Sequence, residues 1–173
     1  KCAPSRSARE LAAPDLSSSS TGAHPEDAAE PVRDEELDAL FAPLASLPIA
    51  ILAVSGGADS VALMHLVSRW APGSAQPPRL VVATVDHALR QASRAEAEWV
   101  AGQARSLGLP HAILTWPGNK PATGIQDAAR AARYRLLAEF ARSFSAAEPV
   151  AIVTAHTEDD QAETLLMRLA RGS

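Results

Sequence analysis

The 173 residues contain a single cysteine, Cys2. That excludes a disulfide framework and any cysteine-based metal site, and it fits a reducing compartment such as the cytoplasm. No apolar run approaches the ~18 residues of a membrane span, so no membrane partner is expected. The N-terminal stretch has no apolar core behind a basic start, which excludes a secretory signal, and its acids argue against a mitochondrial presequence. There is no internal repeat. The glycines never fall in the Gly-x-Gly-x-x-Gly spacing, and no lysine follows the one Gly-Gly pair as Gly-Lys-Ser/Thr would require, so two common nucleotide fingerprints are missing. Net charge is also small, at −4, and unevenly spread. Residues 1–46 hold four bases against nine acids, and residues 47–173 hold twelve bases against eleven acids. Charge alone therefore does not announce a nucleic-acid binder.

The chain is 47% apolar, as a globular protein is. Its length suggests one domain plus extras. Residues 1–32 are rich in Ala, Pro and Ser, with Ser17 to Ser20 in a row, and lack an apolar period; they are expected to be a disordered extension. The domain is expected over residues 33–173. The chain opens on Lys1 rather than Met, as a trimmed or incomplete start would.

The domain is organised around one stretch. Ile49 to Val54 is an apolar run that reads as a buried strand. Val61 to Trp70 reads as a helix, with Leu63, Leu66, Val67 and Trp70 on one face. Between them stand Ser55, Gly56, Gly57, Ala58, Asp59 and Ser60. The two glycines permit φ > 0 and close approach of an anion. The helix is expected to begin near Asp59 or Ser60 and to turn its free N–H groups and positive dipole end into that turn, making a phosphate cradle. Ser55 and Ser60 would add hydroxyl donors. The competing reading is an ordinary tight turn capped by Asp59 and Ser60.

The remaining elements alternate. Asp34 to Leu47 suggests a short helix with Leu37, Leu40, Phe41 and Leu44 inward, expected to pack across the domain entrance and ended by Pro48. Leu80 to Val85 is a second buried strand, ending at Asp86 and His87. Ser93 to Glu96 has the pattern of a capping box opening a helix whose stripe is Ala97, Val100, Ala101 and Ala104, with Gly108 and Pro110 at its end. His111 to Trp116 is a third strand. A helix over Ile125 to Phe144 turns Ile125, Ala129, Ala132, Leu136 and Phe140 inward. Val150 to Ala155 is a fourth strand, and Thr157 caps a last helix with the stripe Ala162, Leu165, Leu166 and Leu169. Apolar strands alternating with helices predict an α/β fold, a doubly wound parallel sheet with helices on both faces. Ligands of such sheets bind beyond the carboxyl ends of the strands, where the glycine turn, Asp86 with His87, and the segment His156 to Asp160 all fall.

Three clusters carry chemistry. Asp86 and His87 follow the second strand, where a lone histidine is either a loop hydrogen-bonder or a neighbour of the nucleotide. Arg130 and Arg133 are i, i+3 on a helix and share a facet, which suits a polyphosphate or an RNA backbone or is a plain solvated face. Asp160 and Glu163 are also i, i+3. Thr157 with Asp160, and the three acids of the first turn, make a respectable helix cap, but the carboxylate pair Asp160 and Glu163 at a strand's carboxyl end also suits Mg²⁺ bridging to ATP.

Ser-Gly-Gly-x-Asp-Ser at 55–60 looks like the PP-loop of the N-type ATP pyrophosphatases. Joined in order by Val-Asp-His-x-Leu-Arg at 85–90, Gly-Ile-x-x-x-Ala-Arg-x-x-Arg-Tyr at 124–134 and His-Thr-x-Asp-Asp-Gln-x-Glu-Thr at 156–164, it resembles the tRNA(Ile)-lysidine synthetase family over about residues 49–173. The resemblance implies ligation of L-lysine to C2 of the wobble cytidine in a CAU-anticodon tRNA(Ile). ATP adenylates the cytidine O2 and releases pyrophosphate, and the lysine amine then displaces AMP. It implies Mg²⁺ as cofactor and tRNA, lysine and ATP as partners, and leaves a homodimer open. By motif, Ser55 to Ser60 hold ATP with Asp86 and His87 beside it. Asp59 and Asp160 attend the metal, Arg130 and Arg133 steady the polyphosphate or adenylated base, and Asp160 and Glu163 stand at the metal or the lysine ammonium. The family pattern continues past Arg171-Gly172-Ser173, so the chain is expected to be a catalytic-domain fragment. The rivals are a tRNA thiolase, which needs cysteine nucleophiles where the chain has only Cys2 in its tail, an amide-forming ATP pyrophosphatase, and a non-catalytic nucleotide-binding module.

Overall fold

The computed structural model describes residues 31–144 and 148–155. The final helix expected from Thr157, with His156, Asp160 and Glu163, lies outside the described residues, as do residues 1–30.

Four strands, β1 (Ile49–Ala53), β2 (Arg79–Asp86), β3 (His111–Thr115) and β4 (Val150–Thr154), form one parallel sheet in the order β3-β2-β1-β4. Helix α1 (Asp34–Phe41) precedes the sheet, and α2 (Ala58–Trp70), α3 (Ala92–Ser106) and α4 (Ile125–Arg142) fill the connections. The chain steps outward from β1 to β3, then returns to lay β4 on the other flank of β1. That return makes the carboxyl end of β1 a topological switch point, the crevice where open α/β sheets bind ligands.

Strand alternation divides the core. Ala50, Leu52, Val54, Leu80 and Val82 pack with Met64, Val67 and Trp70 of α2 and Val100 and Ala104 of α3. Ile49, Ile51 and Ala83 face the other way, onto Leu137 of α4, with Phe140 and Phe144 beside it. Helices thus cover both faces, as the doubly wound reading predicts.

Several local expectations are corrected. In α2 the buried positions are Ser60, Met64, Val67 and Trp70, and Leu63 and Leu66 flank them partly buried. In α4 the buried leucine is Leu137, not Leu136. The first helix stops at Phe41, a 3₁₀ turn carries Ala42–Leu44, and Leu40 is 60% exposed rather than inward. Nor does α1 cross the entrance. Phe41 stacks on Trp70 at 5.6 Å, and Asp34 pairs with Arg69 at 3.2 Å, both at the end of α2 remote from the glycine turn. Its large apolar groups are satisfied there by Trp70, so nothing draws it to the ligand edge.

The capping box expected at Ser93–Glu96 does not form. The α3 helix starts at Ala92, and Ser93 lies inside its first turn. The Ser93 hydroxyl donates to Asp86 Oδ1 at 2.7 Å, a charged acceptor that competes better than a backbone amide. Glu96 meanwhile accepts from Arg90 Nη2 at 2.8 Å. The other end follows the sequence: Gly108 takes φ +70°, and Leu109 donates back to the Ala104 carbonyl at 2.9 Å.

Candidate functional site

Strand β1 delivers Val54, still bonded to the Ala83 carbonyl at 3.0 Å, and then Ser55. The turn that follows divides its work between the glycines. Gly56 has φ +93°, and a Cβ there would lie 3.5 Å from Val100 Cγ2. Gly57 has φ −70° and ψ 156°, ordinary extended backbone, and serves as the N-cap of α2. Only the first glycine therefore has the positive φ expected of both. A Cβ at Gly57 would meet nothing closer than Ser55 Oγ at 3.7 Å.

No side chain caps α2. Neither Asp59 nor Ser60 acts as the cap of the competing reading, and the first-turn amides of Ala58, Asp59 and Ser60 come before the helix's own hydrogen bonds begin. Ser60, 7% exposed, donates to the Gly57 carbonyl at 2.9 Å and accepts the Ser55 N–H at 3.2 Å. Its proton is spent shaping the loop. Exposed Ser55 Oγ accepts the Gly57 N–H at 3.5 Å and lies 3.2 Å from Ser60 Oγ. Ser55 is thus the one of the two expected hydroxyl donors at the surface, and it too is tied into the loop. Asp59 is exposed on the first turn. Uncapped amides at a helix N-terminus, reached across glycine backbone, form an anion site.

A cleft of about 320 Å³ opens beside this loop. Ser55 and Ser60 line one wall, Thr84 and His87 the end of β2, and Arg133 the α4 side. Asp86, 5% exposed, accepts from the Ala88 amide at 2.9 Å and from Ser93, and so holds Ala88 at φ 51°. Burial opposes ionisation of Asp86, but the Ser93 and Ala88 hydrogen bonds and the Arg94 and His87 charges outweigh it and hold the carboxyl below its usual range. His87 lies edge-on to Trp116 at 6.1 Å, and its Nδ1 is buried with no hydrogen-bond partner among the described residues. Lys120 tethers the loop after β3, donating to the Trp116 carbonyl at 2.6 Å with its ammonium 4.3 Å from the Trp116 ring centre.

A family model described as a PP-loop domain matches residues 30–173. The chain belongs to the PP-loop family. It is 56% identical over 143 residues to a protein of Bradyrhizobium diazoefficiens and 54% identical over 144 residues to one of Rhodopseudomonas palustris, both named tRNA(Ile)-lysidine synthase. Each match covers 83% of this chain but 39% and 41% of those proteins, so the chain spans about two fifths of their length. Among solved structures, the U34-tRNA thiolase of Methanococcus maripaludis superposes with a TM-score of 0.65 at 13% identity, over 81% of this chain and 50% of that one. That likeness concerns the fold alone.

Around this PP-loop the structure brings together Ser55, Ser60, His87 and Arg133. It does not bring in every residue the motifs nominate. Arg130 lies over the Tyr134 ring at 5.4 Å and does not line the cleft. Asp86 is turned into its own loop. Residues missed in the sequence are Arg90 and Glu96, which line the cleft as an ion pair at 2.8 Å, and Thr84. Arg90 was visible as the last position of Val-Asp-His-x-Leu-Arg, but nothing in that spacing tied it to Glu96.

Two predictions arise here. Asp86→Ala takes the charged acceptor from the Ala88 amide and leaves the Ser93 hydroxyl only the Arg90 carbonyl at 2.9 Å, at a cost of about 1.5–3 kcal/mol at neutral pH. Because the native pKa lies below the unfolded one, this stability is present above about pH 3.9 and disappears as the pH falls towards the native pKa. Denaturant titrations of the two proteins should therefore converge on acidification; a constant gap would refute the assignment. His87 is held below its usual pKa first by burial and then by Arg133 and Lys120, with Asp86 opposing. Below about pH 6.5 the unfolded chain takes that proton more readily than the native one, so stability falls with pH. The melting temperature of His87→Gln should drop less than that of wild type between about pH 7 and pH 5. His111, also lowered by burial, keeps part of the drop.

Proposed function

We propose that residues 33–173, preceded by the extension at 1–32, form the ATP-activating domain of a tRNA(Ile)-lysidine synthase. The observation that carries this is an uncapped helix N-terminus behind Ser-Gly-Gly-x-Asp-Ser at the sheet's switch point, in a chain 56% identical over 143 residues to a protein of that name. ATP phosphates lie against the amides of Ala58 to Ser60, with the Ser55 hydroxyl at the rim. Arg133 faces the same cleft and stabilises charge on the departing pyrophosphate. The wobble cytidine O2 attacks the α-phosphorus, the bond to pyrophosphate breaks, and an adenylated cytidine results. The lysine amine then attacks C2, AMP leaves with the oxygen, and a carboxylate, Asp160 or Glu163, takes the amine's proton.

The residues fit Mg²⁺. Such an ion is bound through one or two carboxylates plus substrate phosphates rather than an all-protein cage, and Asp59 offers an exposed carboxylate on the first turn of α2, beside the amides. Asp59 and Asp160 would hold it, and when bound it supplies charge neutralisation on the polyphosphate. Among the described residues no helix is long and apolar enough to cross a membrane; a tRNA substrate puts the reaction in the cytoplasm.

Incorporation of radiolabelled lysine into CAU-anticodon tRNA(Ile) by a full-length protein containing this chain tests the reading. ATP-dependent incorporation with release of AMP and pyrophosphate is expected. ATP binding without lysine incorporation would overturn the ligation and leave a nucleotide-binding module.

A further inference from the structure

A second cavity, of about 550 Å³, adjoins the nucleotide cleft on the outer side of the PP-loop. Its walls include Gly56, Gly57, Arg90, Ala95, Glu96 and Trp99, and it shares Ser55, Arg90 and Glu96 with the cleft. The three tryptophans of the chain are treated very differently. Trp70 is 5% exposed and Trp116 8%, whereas Trp99 is 51% exposed on an α3 helix whose Ala97, Val100 and Ala104 already supply the buried stripe. Trp99 therefore contributes little to the core for its size, and it borders a cavity large enough for a nucleotide.

The chemistry of the walls is that of a stacking site. One side is an indole, and another is glycine backbone with no Cβ to obstruct a planar group. Polar atoms gather where Arg90 Nη2 meets Glu96 Oε2 at 2.8 Å. A guanidinium presents five donors and a carboxylate about four acceptor sites, so the pair keeps capacity for the edge of a base or a phosphate. The carboxylate at this rim, Glu96, is matched by Arg90, so it does not repel a polyanion outright. Residues 47–173 carry only one more base than acid, so phosphate attraction contributes little and an RNA partner needs contacts that do not depend on charge.

We infer that Trp99 and the Gly56 backbone form a stacking slot for an unpaired base of the RNA substrate, flanking the base that enters the nucleotide cleft. The inference rests on the ligation reading above and adds to it a place for a neighbouring nucleotide. The shared walls make the slot continuous with the cleft, so one strand can occupy both.

The test measures binding of a fluorescently labelled RNA hairpin with CAU in its loop, and of ATP, by wild type, Trp99→Ala and Trp99→Phe. Alanine should weaken hairpin binding about 5- to 150-fold, the scale of one base–aromatic stack. Phenylalanine should keep most of the affinity. A hairpin with abasic sites in its loop should bind wild type and the alanine variant alike, and ATP affinity should not change in either variant. Equal hairpin binding by wild type and both variants overturns the slot while leaving the ligation reading intact. Weakened ATP binding with unchanged hairpin binding gives the slot to the nucleotide and also overturns it. A wild-type protein that binds ATP but no hairpin overturns the RNA reading itself, and the slot with it. Should the alanine variant fail to fold, hairpin-induced quenching of tryptophan emission in wild type that is absent in the phenylalanine variant supports the slot, and equal quenching in both overturns it.

Discussion

Gly57→Val is expected to melt near the wild-type temperature and to lose at least ~100-fold in ATP affinity, the loss of two or more charge-assisted amide contacts worth about 1.5–3 kcal/mol each. The separation comes from the backbone. Gly57 sits at φ −70° and ψ 156°, a region valine favours, and its Cβ would meet only Ser55 Oγ at 3.7 Å. Glycine is favoured over valine at a helix N-cap, which gives the protein alone a modest reason for it; an anion approaching the α2 amides gives the stronger one. Gly56→Val is the contrasting variant. With φ +93° and a Cβ placed 3.5 Å from Val100 Cγ2, it is strained whether or not ATP is present, by about 1–2 kcal/mol or more for a β-branched residue. Calorimetric ATP titration beside thermal melting distinguishes the two. Wild-type affinity in a well-folded Gly57→Val protein would remove ATP from the loop.

The sheet was legible because its strands carry one unambiguous signal. Ile49 to Ala53 and Leu80 to Val85 are apolar at nearly every position, and only strands covered on both faces need that. Helix faces were read less accurately, for a reason visible in α4. Leu136 and Leu137 are adjacent, so an apolar period admits either, and packing on Ile51 and Ala83 selects Leu137. In the first helical segment Leu37, Phe41 and Leu44 are buried as the stripe predicts, while Leu40 of α1 stays exposed.

The candidate site was legible as a location and only partly as a set of roles. The glycine turn, His87 and Arg133 do meet at the carboxyl edge of the sheet. Local hydrogen bonding then reassigned several groups in ways no spacing rule conveys. Ser60 serves the loop because the Gly57 carbonyl is within its reach, and Asp86 serves the β2–α3 connection because Ala88 and Ser93 both donate to it. The misread capping box has the same origin: Ser93 has two available acceptors, and a buried carboxylate wins over the local backbone pattern. Trp99 is not legible in the sequence, because an apolar residue outside a helix stripe carries no periodic signal.

Asp160→Asn should leave a full-length enzyme with a nearly normal melting temperature and at least ~100-fold slower lysine transfer, the scale of removing a charged transition-state partner. Loss of activity alone would decide nothing, because a first-turn helix residue and a ligand to a metal or an ammonium are both harmed by truncation. Asparagine separates the two. It keeps the shape and an acceptor oxygen, so an N-terminal helix role loses only the charge–dipole attraction, about 0.3–1 kcal/mol of stability. A role at Mg²⁺ or at the lysine ammonium depends on the charge itself. Glu163→Gln should behave alike, since the two positions are i, i+3 and share a facet in the helix predicted from Thr157. Both motif residues lie outside the described structure, so kinetics carry the decision. Turnover is measured at saturating ATP, Mg²⁺ and lysine, which removes differences in ground-state binding. If Asp160→Asn retained more than about a third of wild-type turnover, a barrier change under ~1 kcal/mol, the carboxylate would belong to the helix terminus and the amine's proton would need another acceptor.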